Sequence, residues 1–367
     1  MKSQSPREIA ALFDMRADFI QAHRYGSGHI NDTFLAEYDQ SGLRVKYIHQ
    51  CLSEAAFKNP VQLMENIARV CDHNLSQLIE QGHPEAYRRT LTLIKSKDGK
   101  PYAIDANGRY WRTYLFIDRA RTYDFIESRE QAIEAAKAFG EFQKLAATLP
   151  GEPLHETIPD FHNTKQRYAN LAKAIAEDKH GRAAEVQDLI DEYMKYEPVS
   201  STIVDKLESG ELPTRVTHND TKLNNVMLDD VTMQGICVID LDTTMPGSTL
   251  YDFGDMVRTA TCNAPEDESQ LDKVIADPDM FEALVEGYLS SAKEFLTDTE
   301  MDLLGFAGKL ITIECGVRFL TDYLDGDVYF RTHYDGQNIS RCKRQLALAK
   351  SLEAQNDEFE KIIAKYR

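Results

Sequence analysis

The chain has 367 residues, 42% of them hydrophobic, and carries 42 Lys and Arg against 60 Asp and Glu for a formal charge of −18. That length and apolar content suffice for a sizeable core in two domains or lobes, while the negative field repels nucleic acid and anionic lipid and removes both from the expected partners. No window has the uncharged apolar run of a membrane span, and the opening MKSQSPREIAALFD lacks the apolar stretch of a signal peptide, so a cytoplasmic location is expected.

The first third reads as short strands with one helix. FIQAHRY (19–25) and TFLAEY (33–38) flank GSGHIND (26–32), a strand–glycine turn–strand unit, and VKYIHQ (45–50) alternates like a third strand. Residues 61–81 follow Pro60, repeat apolar residues at helical spacing and stop at Gly82, which predicts one helix. Residues 91–104 suggest a hairpin turning at Asp98-Gly99, and 109–118 an aromatic strand. From about 128 onward the period is helical, over 129–149, 182–197, 278–296 and 300–324. The stretch 343–366 sets Leu348, Leu352, Phe359, Ile362, Ile363 and Tyr366 on one side of a packed terminal helix. The six cysteines stand singly without a CxxC pair, which predicts buried free thiols and no structural zinc site.

The island 214–245 interrupts this helical half. RVTHNDTKLNNVMLDD (215–230) contains His218, Asp220 and Asn225 in an H-x-D-x4-N spacing. Phosphoryl transfer needs a carboxylate to orient the attacking hydroxyl and finally take its proton, with oxygen ligands for magnesium close by, and this spacing supplies both. The apolar strand 236–239 then delivers Asp240, 20 residues after Asp220, as a second magnesium oxygen. Asp242, two residues on, is expected to bind the metal through water or to line the acceptor site. The letters DFG occur at 252–254, but no apolar strand precedes them, and a turn at 246–248 leads into a helix. Asp252 or Asp255 is therefore expected to bond the catalytic-loop backbone or cap that helix. A β-rich first part, a helical remainder and a polar island between helices predict an α+β, bilobal, kinase-like fold. The expected division is 1–118 and 119–367, with the boundary near 118–125. Because the net charge also repels ATP, the site must gather positive character locally, from magnesium and backbone amides.

The segments YGSGHIND (25–32), WRTYLFID (111–118), RVTHNDTKLNN (215–225), IDLDTTMPGSTLYDFGD (239–255) and ECGVRFLTDYLDGDVYF (314–330) resemble the aminoglycoside phosphotransferase and choline kinase superfamily, and within it the bacterial N-acetylhexosamine 1-kinases. The resemblance spans nearly the whole chain. It implies ATP and magnesium as cofactors and transfer to the anomeric hydroxyl of N-acetylglucosamine or N-acetylgalactosamine, by a monomer or homodimer. Asp220 matches the catalytic base, Asn225 and Asp240 the magnesium ligands, and Arg318 and Tyr329 the residues that hold the sugar. His29 falls in the glycine turn near phosphates and acceptor, with Gly26, Ser27 and Gly28 as phosphate contacts. By fold analogy the adenine lies against 110–117, with Phe116, Ile117 and Asp118 bonding the base.

One departure from the kinase pattern stands out. The third strand of kinases supplies a phosphate-gripping lysine; here Gln50 holds that place, Lys46 lies too early, and Glu65 has no lysine partner. The missing lysine motivates a non-catalytic nucleotide- or sugar-binding reading. The other alternative keeps the fold but changes the acceptor, to an aminoglycoside, choline, homoserine or methylthioribose. Three bland readings also stand: an ion pair between Arg318 and Glu314 one helical turn apart, a core role for Tyr329 and a solvated His29.

Overall fold

The computed structural model describes residues 5–26 and 30–367. Five strands, β1 (Asp18–Arg24), β2 (Asp32–Gln40), β3 (Leu43–Cys51), β4 (Ala103–Ile104) and β5 (Tyr110–Leu115), form an antiparallel sheet in the order β1-β2-β3-β5-β4. The β2–β3 hairpin closes through Ser41 and Gly42, both at positive φ (56° and 90°), as a two-residue turn requires when its twist must match the strands. Ala36, Tyr38 and Tyr47 pack with Ala10, while Cys51, Ala103 and Trp111 pack with Ile9 and Phe13.

The helix Pro60–Glu80 starts at an Asn59 cap. Leu63, Met64, Ile67 and Val70 join the large core of Phe139, Phe142, Tyr288 and Leu304, so the helix is rooted in the helical body. The rest of the chain supplies the helices Arg129–Ala146, Thr164–Glu177, Thr249–Ala260, Pro278–Ala292, Leu304–Leu324, Gln337–Ala354 and Asn356–Tyr366. Between them lie β6 (Ala120–Arg121), β7 (Arg215–Thr217), β8 (Val226–Asp229), β9 (Gly235–Val238) and β10 (Met245–Gly247), with β6-β8-β9 forming one small sheet and β7-β10 another. This is an α+β, protein-kinase-like arrangement of a small antiparallel lobe and a larger helical one. Among the described residues no helix is long and apolar enough to cross a membrane.

Several expected elements change. Gly99 turns at φ 80° and the turn closes with Ser96 N–H on the Lys100 carbonyl at 2.8 Å, but the arms then part, because Thr92 and Ile94 bond instead to Leu115 and Thr113 beside β5. The span 300–324 breaks at Leu303: a Thr297–Glu300 capping box starts the short helix Asp298–Asp302, and Leu304 begins a new one. The stretch 343–366 breaks at Gln355, whose amide bonds the Ala276 and Ser351 carbonyls. Leu348, Leu352, Phe359 and Ile363 are nevertheless buried, and Phe359 stacks on Phe281 at 4.2 Å. The helix Thr164–Glu177 has no counterpart in the sequence reading; only Thr164, Tyr168, Leu171 and Ala174 are buried in it, too sparse a stripe to register. All six cysteines are free thiols, five buried and Cys315 half-buried.

Candidate active site

The 215–225 loop is held from below by one carboxylate. Asp252, fully buried in the first turn of Thr249–Ala260, accepts the backbone N–H of His218 at 3.0 Å and of Asn219 at 2.7 Å. Gln143 donates to the same carboxylate at 2.6 Å, and Thr221 Oγ1 to the Asp252 carbonyl at 2.6 Å. The letters DFG thus serve the loop structurally. Phe253 is core, and a Cβ on Gly254 would meet the Ala307 carbonyl oxygen at 2.5 Å, so glycine permits the close crossing of Thr249–Ala260 over Leu304–Leu324. Asp255 pairs instead with Arg258 at 2.7 Å. His218 lies edge-on to Phe139 and Phe142, and its Nε2 donates to the Ile239 carbonyl at 2.9 Å. The imidazole therefore ties the loop to the strand end that delivers Asp240.

Asn219 and Asp240 both adopt left-handed backbone, at φ 65° and 58°. Such positions cost side-chain-bearing residues energy and concentrate where a side chain must be aimed. Asn225 donates its amide to Asp220, at 2.8 Å to the carbonyl and 3.1 Å to Oδ2. Its own carbonyl accepts from Ile239 N at 2.8 Å, continuing the β8–β9 ladder and bringing Asn225 beside Asp240. Lys222 bridges both Asp220 oxygens, at 2.8 and 3.1 Å. The surrounding protein disfavours charge on Asp220, but Lys222, His218 and Arg258 outweigh it and hold the carboxyl below the ordinary range. Asp240 has the opposite balance: enclosure by protein, then the charges of Asp242 and Asp220, push it up to about 6.

Among the described residues Asp240 has no hydrogen-bonding or ionic side-chain partner, and no three His, Cys, Asp or Glu side chains gather as a metal cluster. A crowded, unpaired carboxylate beside an amide oxygen suits a hard divalent ion that takes its remaining ligands from phosphate and water. Magnesium fits Asn225 and Asp240 on that ground.

Asp242 differs from expectation. Its carboxylate is buried, forked by Arg112 (Nη1 to Oδ1, and Nη2 to Oδ2 at 3.2 Å), and Oδ2 also accepts Asn31 Nδ2 at 2.6 Å. Both oxygens are already engaged by protein groups. Arg112 also donates Nε to Gln50 at 2.8 Å, so the residue in the lysine's place holds a neighbouring arginine. Lys46 points to the chain beyond β5, 3.5 Å from Asp118 and over the Phe116 ring, and Glu65 bonds His155 at 2.9 Å. Of the nucleotide residues, Gly26 turns at φ 80°, and Phe116 meets Tyr25 edge-on at 6.0 Å. Ile117 is buried, and the Asp118 carbonyl accepts Arg88 at 3.1 Å. Ser27, Gly28 and His29 lie outside the described residues.

Arg318 and Tyr329, the two residues expected to hold the sugar, meet. Arg318 Nη2 lies 3.4 Å from the Tyr329 hydroxyl, and the guanidinium sits 5.3, 5.7 and 5.4 Å from the Phe161, Tyr329 and Phe330 ring centroids. The Glu314–Arg318 ion pair does not form, since Glu314 is buried and accepts from His162 at 2.7 Å and Thr164 at 2.6 Å. Tyr329 is 66% exposed, so it is not a core aromatic. Asp322 shapes its loop, accepting the backbone N–H groups of Val328, Tyr329 and Phe330 at 2.7–3.0 Å. His162 joins this side to the catalytic loop, because its Nε2 donates to the Asn219 carbonyl at 3.0 Å.

Lys222, Arg112, His162, Asn31 and Asp322 were not singled out by sequence. Lys222 was legible as the cation two residues after Asp220, and Arg112 as a charge inside an aromatic strand. His162 lies far from every motif and carries no local signal.

Residues 21–284 match the model of the phosphotransferase enzyme family, APH. Among solved structures the chain is similar to an aminoglycoside phosphotransferase from Alicyclobacillus acidocaldarius, with TM-score 0.62 and 13% identity over 97% of this chain and 98% of that one. It is similar to a microcompartment-associated aminopropanol kinase (TM-score 0.55, 15% identity, 96% and 97% covered). A Plasmodium vivax ethanolamine kinase matches at TM-score 0.51 and 15% identity, with 89% and 82% covered. At these identities the likeness is one of fold.

Proposed function

Since the chain belongs to the phosphotransferase enzyme family over residues 21–284, we propose that it is a magnesium-dependent kinase that moves the γ-phosphate of ATP to the anomeric hydroxyl of N-acetylglucosamine or N-acetylgalactosamine, giving the sugar 1-phosphate. The observation that carries the sugar acceptor is Arg318, fixed among Phe161, Tyr329 and Phe330 and joined through Phe161 and His162 to the Asp220 loop. A guanidinium that stays charged repels an ammonium acceptor. Its planar fork and the Tyr329 hydroxyl suit hydroxyl and acetamido oxygens, and the rings offer apolar faces to a sugar.

In this reading Asp220, ionised at neutral pH, accepts the hydrogen bond of the attacking hydroxyl. It takes the proton as the new O–P bond forms and the bond to the departing ADP breaks. A carboxylate held below its usual range is a weak base, so its contribution is chiefly alignment. Lys222 adds positive charge beside the transferred group. Asn225 and Asp240 would hold magnesium, which when bound would neutralise phosphate charge.

A second reading is favoured by a cavity of about 230 Å³ beside Asn219, whose lining includes Glu156, Asp160, Glu208, Phe161 and Tyr251. Three acids with aromatic faces suit an amine-bearing acceptor, such as the names of the aminopropanol and ethanolamine kinases describe. The test is ATP turnover across N-acetylglucosamine, N-acetylgalactosamine, ethanolamine, choline and an aminoglycoside, with NMR of the product. Phosphate on C1 of either sugar supports the first reading, and turnover of the amines alone the second. No ATP consumption with any acceptor refutes both and favours a non-catalytic protein.

A further inference from the structure

Two residues around the small sheet, Arg112 and Asn31, converge on a single carboxylate of the helical lobe, and Gln50, Thr33 and Ser53 extend the network. Arg112 forks onto Asp242 and donates Nε to Gln50, its register partner on β3. Gln50 in turn donates to Thr33 Oγ1 at 3.0 Å. Asn31 donates to Asp242 Oδ2 at 2.6 Å while its own Oδ1 accepts Ser53 N at 3.0 Å. Asn31 immediately precedes β2, and Asp242 lies in the short helical turn Leu241–Thr243 just after Asp240. The start of β2 and the turn that carries Asp240 are therefore joined by buried and part-buried, charge-assisted hydrogen bonds.

We infer that Arg112, Asp242 and Asn31 form an interlobe latch that positions ATP, in place of the strand lysine and helix glutamate used by kinases. The third-strand position is Gln50, and Glu65 is engaged with His155, so that pair is not assembled. Arg112 is only 1% exposed, which prevents it from gripping phosphate itself. It fixes Asp242, and Asp242 fixes Asn31. These are positioning residues, and Asp242 is assigned to the latch and not to the acceptor. The inference rests on the ATP-dependent kinase reading above.

Asn31→Ala removes one arm of the latch without leaving a buried charge unpaired, and Arg112→Lys keeps the charge but loses the fork. The measurements are the dissociation constant of a non-hydrolysable ATP analogue with magnesium, the separate KM values for ATP and acceptor, and the melting temperature. The latch predicts analogue binding weakened about fivefold or more in Asn31→Ala and in Arg112→Lys, with acceptor KM within about twofold of wild type. Unchanged analogue binding in a fully folded Asn31→Ala protein overturns the latch. So does an acceptor KM that rises more than the KM for ATP. If wild-type protein itself fails to bind the analogue, the kinase reading falls and takes the latch with it, a result distinct from equal binding by wild type and variant.

Discussion

Glu314 fixes the protonation state of His162. The imidazole sits between the Glu314 carboxylate at 2.7 Å and the Asn219 carbonyl at 3.0 Å. Both partners only accept, so both ring nitrogens must donate, and the ring is an imidazolium. Burial alone would depress its pKa, but Glu314 and the Asn219 carbonyl outweigh burial and the net shift is upward.

That ion pair links stability to pH in a definite direction. A histidine raised above its unfolded value stabilises fully below about pH 6.5, and the contribution is lost as pH rises through the folded value. His162→Gln should lower stability by about 3 kcal/mol near pH 6, because Glu314 is left buried without its cation. The gap to wild type should narrow as pH rises through the raised folded value of His162. Melting curves of the two proteins across that range check both magnitude and sign.

Gly254→Ala places a methyl group against the Ala307 carbonyl and Ile311. Thr249–Ala260 must then move off Leu304–Leu324, and it carries Asp252, the anchor of the His218 and Asn219 backbones. Overpacking of this kind costs about 1–3 kcal/mol. Urea unfolding should show that loss, and kcat should fall while the KM for ATP stays near wild type.

Arg318→Ala opens the aromatic cluster of Phe161, Tyr329 and Phe330. The acceptor KM for N-acetylglucosamine should rise about tenfold or more, with the KM for ATP little changed. Steady-state kinetics with each substrate varied in turn separates the two. An equal rise in both constants would place Arg318 outside the acceptor site.

The parts of the fold and site legible in sequence were those that local pattern controls. The H-x-D-x4-N run forces Asp220 and Asn225 into one short loop, and the apolar strand before Asp240 can pair only where β8 leaves room. The helix Pro60–Glu80 is legible to within one residue at each end, whereas the spans 129–149 and 278–296 overrun Ala146 and Ala292 by three and four residues. The break at Gln355 escaped because its side chain bonds the distant Ala276 carbonyl, with no Gly or Pro to mark the end of the helix. The engagement of Asp242 was not legible for a similar reason: its spacing from Asp240 says nothing about Arg112, 130 residues away. His162 could not be found at all, since its partners come from residues 219 and 314.

The most direct test of phosphoryl transfer at this site is Asp220→Asn, assayed for acceptor-dependent ADP release alongside binding of a non-hydrolysable ATP analogue. The amide keeps the side chain's shape and its bond to Lys222 through one oxygen, but it cannot take the acceptor's proton. Turnover should fall by about 1,000-fold or more with nucleotide affinity near wild type. An Asp220→Asn protein that retains a tenth or so of the wild-type rate would contradict the assignment of Asp220 as the residue that meets the attacking hydroxyl.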